Sequence, residues 1–336
     1  MENENRYRVL VCPLGWGLGH ASRLIPIIKQ QQELGHEVIA AGDKLQLQYI
    51  TSFYSDIQTI NFPSFSIRFS KGSNQLLPIL GVAFRLPYHT IKEHFAIKRI
   101  VKDYRIKLII SDNRYGLWNR SVKTILITHQ LRVLFPKPFR FLEPIGVLFI
   151  RYIAEKFDEC WVPDFQGEEN LAGKLSHPLK LPRNVKYIGT LSRFKGIETV
   201  QCERNWDLVG ISSGPSPQRE ILIDLIAELG RKNNLKTLII KGNLSEGKEI
   251  YELNGIFYAG HLNDLDFAAA VKSTKHLISR AGYSSIMDLN TLGVSGILVP
   301  TPGQTEQEYL SSYLSDKKMF TEVKQSSLLD FEVRKE

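Results

Sequence analysis

Short apolar runs alternate with longer amphipathic segments along the chain, and this alternation limits the fold more than any other feature. The runs typical of buried strands are 8–13, 36–42, 107–111, 124–128, 159–163, 185–189, 206–212, 236–241, 256–260, 275–279 and 295–300. The segments typical of helices are 20–34, 76–103, 143–156, 217–232, 263–273, 284–292 and 305–317. Strands of Val, Ile and Leu between helices indicate parallel sheets that helices cover on both faces. The sequence therefore predicts an α/β protein with two doubly wound, Rossmann-like sheets, which bind ligands at the carboxyl ends of their strands.

The length of 336 residues suits two domains, and a polar stretch without pattern separates the two halves. We expect an N-terminal domain over 1–190, a linker over 191–206 and a C-terminal domain over 207–336, with a cleft between the domains. The last twenty residues are expected to form a helix that packs back on either domain, the N-terminal one included.

The composition is that of an ordinary globular chain, with 43% hydrophobic and 23% charged residues, which argues against disorder, collagen and coiled coil. Cys12, Cys160 and Cys202 form no CxxC pair and no metal spacing. The N-terminus lacks a signal-peptide core, and no apolar window of ~18 residues could span a membrane. We therefore expect a reduced, cytoplasmic protein.

The positive charge is unevenly placed. Residues 1–190 carry a net charge of +10 and residues 191–336 a net charge of −2, within a total of +8. A basic half favours an anionic partner, whether nucleic acid, a membrane face or a phosphorylated substrate. Nothing in the chain resembles a zinc finger or an RNA-recognition motif, so we expect no nucleic acid as partner.

A glycine-rich loop, GWGLGHASR, runs from Gly15 to Arg23 directly after the first predicted strand and opens a helix. Its glycines allow a tight turn and a close approach of the backbone to a ligand, and a helix N-terminus presents free N–H groups to an anion. The spacing is GxGxG and not GxGxxG, which argues against a nicotinamide dinucleotide even though Asp43 could imitate its acidic ligand. A tight turn without a ligand is the other alternative.

His20 is the most reactive side chain of this loop. The positive helix end disfavours imidazolium, and a neutral imidazole can accept a proton from a substrate hydroxyl. A histidine that only caps the helix is the alternative. Asp112 follows another predicted strand and is a candidate to orient His20, or else an aspartate that forms a turn before Asn113. His129 follows the next strand, so parallel strands would bring all three to one sheet edge.

A second constellation, SRAGYSSIMDLNTLG, runs from Ser279 to Gly293 and again reads as strand, small-residue turn and helix. A diphosphate could lie on the N–H groups of this helix start, with Arg280 neutralising it and Asp288 accepting hydrogen bonds from a ribose diol. The alternative is a capping box between Ser285 and Asp288, in which both side chains only satisfy helix N–H groups.

Two further loops follow predicted strands of the second half. Ser212, Ser213 and Gly214 form a small-residue anion loop, and the turn before Gln304 and Gln307 offers amides to sugar hydroxyls or is simply a solvated helix start. Asp264-Leu265-Asp266 matches a DxD metal motif, but acidic residues are expected at a helix start anyway, so we expect no metal site there.

In these loops the sequence resembles the GT-B glycosyltransferases that use nucleotide sugars, and it is most similar to the MurG-like group, which transfers N-acetylglucosamine to a lipid-linked acceptor. The resemblance covers about 1–40 and 207–316, and it is strongest over 256–312. It implies a GT-B fold and a role for each matching position. The implied catalytic residues are His20 and Asp112, with Arg114 and His129 on the acceptor side. The implied donor-binding residues are Gly17, Gly19, Ser213, Gly214, Gly260, His261, Leu262, Arg280, Gly282, Tyr283, Ser284, Asp288, Gln304, Gln307 and Glu308.

Two of these positions depart from the family pattern. The MurG-like enzymes have Glu where Asp288 stands, and a Gln-Gln pair where Gln307 and Glu308 stand. The second departure leaves the donor sugar open between a hexose and an N-acetylhexosamine. The stretch Gly260–Leu262 is implied to meet the nucleotide base through its backbone.

The resemblance implies inverting transfer from a nucleotide sugar, UDP-linked in that family, to a hydroxyl of a glycan or lipid-linked acceptor of the cell envelope. No cofactor and no catalytic metal are expected, since helix ends and Arg280 would stabilise the leaving diphosphate. A nucleotide-sugar epimerase of the same fold, or a non-catalytic protein that binds nucleotide sugars or nucleic acid, are the alternatives.

The basic excess falls on the expected acceptor side, in the segments 91–107 and 131–156. In the second segment Arg132, Lys137, Arg140 and Arg151 alternate with Phe135, Phe139, Phe141 and Phe149. Basic and aromatic residues together suit an anionic membrane surface, so we expect a peripheral contact at the inner face of the membrane. Aromatic residues buried in the core are the alternative.

Overall fold

A computed structural model of the chain describes residues 6–65, 76–178, 180–197 and 206–333. The chain separates into two compact units, with a boundary between Leu191 and Ser192. Most of the predicted linker, residues 198–205, lies outside the described residues, as do Cys202 and the side chain of Lys137.

A parallel sheet forms the centre of the first unit. Its strands are β1 (Arg8–Pro13), β2 (Glu37–Gly42), β3 (Gln58–Asn61), β4 (Ile106–Asp112), β5 (Lys123–Ile127), β6 (Glu159–Val162) and β7 (Val185–Tyr187). They are ordered β3-β2-β1-β4-β5-β6-β7, and every described pair of neighbours is parallel. This is the order of a doubly wound sheet, with its reversal between β1 and β4. The predicted parallel fold is confirmed for this half.

The register of the central strands determines which residues share an edge. Asp112, at the end of β4, lies opposite Pro13 of β1 and Ile127 of β5. The loops that follow these three strands therefore leave the sheet at its carboxyl edge, which is the ligand-binding edge of such folds.

Helices cover this sheet and close its core. They are α1 (Leu18–Glu33), α2 (Lys44–Thr51), α3 (Leu76–Asp103) and α4 (Glu143–Ala154). The core contains Leu10, Ile39, Ile109 and Leu126, each fully buried. Cys12 and Cys160 are free thiols, and burial raises the pKa of each to about 12, so neither is ionised near neutral pH.

The second unit repeats the plan. Its strands are β8 (Trp206–Ile211), β9 (Thr237–Ile240), β10 (Tyr251–Leu253), β11 (Ile256–Ala259), β12 (Thr274–Ser279), β13 (Ile297–Leu298) and β14 (Thr321–Glu322). Its helices are α5 (Gln218–Lys232), α6 (Asp264–Ser273), α7 (Tyr283–Thr291) and α8 (Thr305–Asp316). The strands are ordered β10-β11-β9-β8-β12-β13-β14, with the reversal between β8 and β12. The loops after β8 and β12 therefore lie at the switch point of this sheet.

The second sheet departs from the prediction at both edges. β10 pairs antiparallel with β11 through a hairpin at Asn254-Gly255, where both residues have positive φ. Asn-Gly is the strongest short-range hairpin signal, and the prediction did not use it.

The predicted C-terminal helix was wrong. Residues 321 and 322 form β14, which pairs parallel with β13, and a 3-10 turn over Gln325–Asp330 follows. Val323, Leu328 and Val333 are buried in the core of the second unit. These apolar residues are five apart, so they do not form the stripe of an amphipathic α-helix.

A buried carboxylate organises the loop after β6. Asp164 is fully buried, and it accepts hydrogen bonds from the backbone N–H groups of Phe165, Leu171 and Ala172 and from Ser176 Oγ. An ionised carboxylate is an acceptor only, so four donors suit it without conflict.

We expect Asp164→Asn to lower the free energy of unfolding by about 2–4 kcal/mol, because the new NH₂ group would face N–H donors in a buried site. Urea denaturation would measure the change. Glu33→Gln, which removes an exposed surface charge, is the control and should stay within about 0.5 kcal/mol of the wild type. Equal stability of the two variants would contradict the role given to Asp164.

Candidate active site

The glycine loop after β1 is held by residues that follow β2 and β3. Ser64 Oγ accepts a hydrogen bond from Gly15 N at 3.0 Å and donates one to Asp43 at 2.8 Å. A Cβ on Gly15 would clash with the Asp43 carboxylate and Ser64 Oγ, so a larger residue there would displace these two anchoring side chains. Gly17 caps α1 with a φ of 135°, which is also a glycine conformation. Asp43 therefore anchors the loop. Because its carboxylate is bonded within the chain, it does not serve as the acidic ligand that a nicotinamide dinucleotide would need.

His20 is the third residue of α1, one turn after the cap, with its side chain 18% exposed. Gly19 precedes it within the same turn. Burial lowers the pKa of His20, and the positive charge of Arg23 lowers it further, while the carboxylate of Asp112 acts in the opposite direction. The net shift is downward, so the imidazole is neutral at pH 7 and has the protonation state that a base requires.

The structure brings His20 and Asp112 together. His20 Nδ1 lies 3.2 Å from Asp112 Oδ1, and Asp112 is fully buried. The carboxylate bonds to side chains and not to the turn at Asn113, which argues against the turn-forming alternative. Burial raises the pKa of Asp112, but the charges of Arg23 and His20 outweigh it and hold the pKa below its usual range.

Arg23 is the partner that the sequence analysis missed. It is fully buried, and its guanidinium binds both carboxylate oxygens of Asp112. Its Nη2 also lies 2.8 Å from His20 Nδ1, and its Nη1 lies 3.3 Å from His129 Nδ1. Positions 20 and 23 are three apart and share a helix face, which is the signal that would have found this residue.

The two predicted acceptor-side residues have partners within the first unit. Arg114 is fully buried; it pairs with Glu93 at 2.8 Å, donates to the carbonyl of Phe62 and lies over the Phe62 ring. His129 is 4% exposed and faces Arg23. Their burial argues against both predictions, since a residue just after a strand can turn back into the core as well as outward.

In the second unit, loops at the switch point form a concave pocket. Ser213, Gly214 and Pro215 line it before α5, and Thr301 and Gln304 line it before α8. Gly214 has a φ of 114°, which only glycine adopts readily. Two helix N-termini thus open near the pocket, and the positive ends of their dipoles favour an anion.

Arg280 lines the same pocket and is 97% buried, with a relative exposure of 3%. Its guanidinium donates to the carbonyls of Gln218, Val299 and Pro300, and within the described part of the chain no carboxylate pairs with it. Burial lowers its pKa to about 10, which leaves it charged at neutral pH. A buried cation without a counter-charge makes the pocket attractive to an anionic ligand.

Gln307 and Glu308 support the loop before α8. Gln307 Oε1 accepts from Thr301 N at 2.9 Å, and Glu308 Oε1 accepts from Gly303 N at 2.7 Å. Gln307 also lines the pocket, and its amide NH₂ group is available to donate to a ligand. Glu308 is exposed and does not line the pocket. The structure therefore keeps Gln307 as a candidate and gives Glu308 a structural role.

Asp288 lies in α7 beside residues that the prediction placed in the linker. Its Oδ1 accepts from Ser192 Oγ at 2.6 Å, and Arg193 pairs with the nearby Asp264 at 2.7 Å. The cap of α7 is Gly282, so Ser285 is inside the helix and the capping-box alternative was wrong. Burial raises the pKa of Asp288 to about 6, Arg193 and the hydrogen bond from Ser192 lower it, and the charge of Asp264 raises it.

The remaining predicted donor contacts have other partners. Gly260 O accepts from Asn243 N and His261 N donates to Gly247 O, so these backbone groups close the loop 243–247. Leu262 and Tyr283 are buried, and Ser284 is half-buried. The structure thus does not leave the His261 N–H for a nucleotide base, because it is bonded within the chain.

Comparisons with known proteins agree with the fold. Residues 214–335 match the glycosyltransferase family 28 C-terminal domain. A Methanosarcina mazei protein described as an uncharacterized glycosyltransferase is 22% identical over 328 residues, covering 92% of this chain and 84% of that protein. The chain is a glycosyltransferase of the GT-B fold.

Solved structures support the fold of this glycosyltransferase. The spinosyn rhamnosyltransferase SpnG, solved with thymidine diphosphate, has a TM-score of 0.63 at 12% identity and covers 96% of this chain and 90% of its own. Acinetobacter baumannii MurG has a TM-score of 0.55 at 13% identity, with 96% and 87% covered. At such identities the likeness establishes the fold alone.

The raised pKa of Asp288 predicts a pH-dependent stability. Between pH 3.8 and about 6 the folded carboxyl keeps a proton that the unfolded one releases, so its contribution to stability is complete below pH 3.8 and disappears as the pH rises through about 6. We expect Asp288→Asn to raise the free energy of unfolding at pH 7.5 by on the order of 2 kcal/mol and to leave it unchanged at pH 3.5.

Denaturation at the two pH values would measure this difference. Asp330→Asn, which changes an exposed carboxyl of the same unit, is the control and should show no such difference between the two pH values. A destabilised Asp288→Asn at pH 7.5 would show that the charged form stabilises the fold, against the prediction.

Proposed function

We propose that this glycosyltransferase moves a hexose or N-acetylhexosamine from a nucleoside-diphosphate sugar to a hydroxyl of a glycan or lipid-linked acceptor, with inversion and without a catalytic metal. The observation that carries the proposal is Arg280, a buried cation without a described carboxylate partner in the pocket at the switch point of the second sheet. A departing diphosphate supplies the negative charge that this pocket lacks.

The donor half of the proposal rests on the second unit. Arg280 and the N-termini of α5 and α8 would stabilise the leaving diphosphate, a task that Mg²⁺ performs in other transferases. Gln304 and Gln307 line the same pocket and would donate or accept hydrogen bonds with the donor sugar. Asp288 would accept hydrogen bonds from the ribose hydroxyls, and the nucleotide base is proposed as uracil. SpnG was solved with thymidine diphosphate, a related ligand.

The base is proposed to be His20 in the first unit. As the acceptor hydroxyl attacks the anomeric carbon, its proton passes to the neutral imidazole, the new glycosidic bond forms, and the bond to the diphosphate oxygen breaks. Asp112, 3.2 Å from Nδ1, orients the ring and stabilises the imidazolium that results. Displacement on the face opposite the leaving group inverts the anomeric centre.

Two variants separate the proposed roles. We expect His20→Ala to lower kcat by ~10²–10⁴ while nucleotide binding persists, because a placed base contributes that factor.

We expect Arg280→Met to weaken UDP binding at least tenfold, because the pocket loses its cation. A panel of nucleotide sugars in a thermal-shift assay identifies the donor first, and release of UDP with an acceptor then measures turnover.

The outcomes distinguish the alternatives. Near-wild-type turnover of His20→Ala would exclude it as the base. Epimer and free UDP from UDP-N-acetylglucosamine without an acceptor would indicate an epimerase. Unchanged turnover in the presence of EDTA is expected for transfer without a metal, and its loss would contradict that part of the proposal. Binding without turnover for any acceptor would indicate a binding protein.

We further propose that the first unit contacts an anionic membrane surface. No helix among the described residues is long and apolar enough to cross a membrane. α4 and the turn before it expose Phe141, Ile145, Leu148 and Tyr152, each at least 60% exposed, at spacings that place them on one face. α3 exposes Tyr88, Ile91 and Phe95 in the same way. We call these seven residues the α3/α4 apolar surface.

Cations accompany this surface. Lys98 lies over the Phe95 ring, and Lys156 lies over the rings of Tyr152 and Trp118. The ring of His94, in α3, stacks on the ring of Trp118 with 3.5 Å between the ring centres. Trp118 therefore contacts both α3 and the segment that follows α4. Two phenylalanines of the segment 131–156 differ in their surroundings: Phe141 is exposed and Phe149 packs against the core. The first suits a membrane contact and the second is a core aromatic residue.

Vesicle binding tests the proposal at low salt, with phosphatidylglycerol mixed into phosphatidylcholine. We expect Ile145→Glu/Leu148→Glu to reduce binding at least tenfold, because apolar insertion is lost and negative charge is added. Leu34→Glu changes an equally exposed leucine of the same unit and should bind as the wild type does. Absence of wild-type binding, or equal loss in the control, would contradict the proposal.

A further inference from the structure

Within the described part of the chain, two buried side chains contact the His20 ring and a third contacts one of these two. Arg23 comes from the same helix face of α1, Asp112 from the end of β4, and His129 from the loop after β5. Arg23 contacts all three of the others, and it is fully buried with no exposed side of its own. It is therefore the centre of the cluster.

The contacts at His20 Nδ1 impose conflicting demands. A guanidinium only donates, so its Nη2 at 2.8 Å requires a lone pair on Nδ1. A carboxylate only accepts, so Asp112 Oδ1 at 3.2 Å requires a proton on the same nitrogen. Both cannot be satisfied at once, and the shorter contact is the one to Arg23. In this arrangement the neutral ring carries its proton on Nε2.

Arg23 also changes the net charge beside the His20 ring. Because the guanidinium binds both oxygens of Asp112, the ring faces an ion pair of zero net charge and not a bare carboxylate. An unpaired carboxylate would favour the imidazolium, and an unpaired guanidinium would oppose it.

We propose that Arg23 is a positioning residue for the transfer reaction, which neutralises Asp112 and competes with it for His20 Nδ1, and so sets both the charge and the tautomer of the imidazole. In the resting protein Nδ1 accepts from Arg23. Release of that contact lets Nδ1 bind the proton next to Asp112 and leaves the Nε2 lone pair to accept one from a hydroxyl. The inference rests on the proposed role of His20 as base, but its test does not require a substrate.

Long-range ¹H–¹⁵N spectra of the full chain labelled with ¹⁵N-histidine measure both properties between pH 5 and 8.5. The chain has eight histidines, and His20→Gln assigns the His20 signals. In the wild type we expect a midpoint below the ordinary value of 6.5 and an unprotonated Nδ1. In Arg23→Met we expect a midpoint higher by about one unit or more and a proton on Nδ1, since a bare carboxylate then faces the ring.

The opposite substitution should shift the midpoint in the opposite direction. Asp112→Asn leaves the guanidinium unpaired, so the midpoint should fall below that of the wild type. Arg23→Lys keeps the charge and should lie between the wild type and Arg23→Met. Arg114→Met is the matched control, because it removes another fully buried arginine of the same unit that pairs with Glu93, and it should leave the His20 midpoint unchanged.

Turnover adds a second readout. The kcat of Arg23→Met should fall further between pH 8 and pH 6 than that of the wild type, by the factor that its measured His20 midpoint gives, since more of its base is protonated in this range. The double variant Arg23→Met/His129→Gln should show the same loss, which assigns the titration to His20.

A folded Arg23→Met with the wild-type midpoint and tautomer would overturn the proposal. If that variant does not fold, Asp112→Asn and Arg23→Lys decide, and an unchanged or raised midpoint in Asp112→Asn would overturn it. Should the midpoints move as expected while His20→Ala keeps its turnover, the proposed function fails as regards the base and the control of the ring by Arg23 stands.

Discussion

The parallel pairing of β1 with β4, and of β4 with β5, is the constraint on which the rest of the first unit depends. It sets Pro13, Asp112 and Ile127 in one row, so that three loops far apart in sequence leave the sheet at one edge. The strands that carry this register are buried along almost their whole length, so a shift by one residue would move each side chain to the opposite face of the sheet and disrupt its packing against the helices. Hydrophobic burial thus maintains the distances within the His20 cluster, although none of the cluster is apolar.

Three buried arginines illustrate how the partner, and not the residue type, decides what a charge does. Arg114 is closed off by Glu93 and the Phe62 carbonyl, which makes it a structural link between α3 and the sheet. Arg23 is neutralised by Asp112 and acts on an adjacent ring. Among the residues that the structure describes, Arg280 binds backbone carbonyls only, so its positive charge remains available to a ligand in its pocket.

Much of the fold followed from the sequence. The strands that the sequence did not predict share a common cause. Every predicted strand and helix before residue 317 is present, because continuous apolar runs and amphipathic periods are strong signals. β3 was missed because its residues, QTIN, are mostly exposed and polar. β14 has only two residues at a sheet edge, and its pairing with β13 comes from the packing of Val323 and Leu328.

The sequence by itself determined the two doubly wound sheets and the loops that carry chemistry, since local periodicity and glycine spacing encode strands, helices and tight turns. It pointed to His20, Asp112 and Arg280 by their place after strands. Only the tertiary structure decided that Arg23 binds Asp112, that Arg114 turns inward, and that Glu308 supports a loop. The direction and partner of a polar side chain depend on which other groups share its buried space, and that information is absent from the order of residues along the chain.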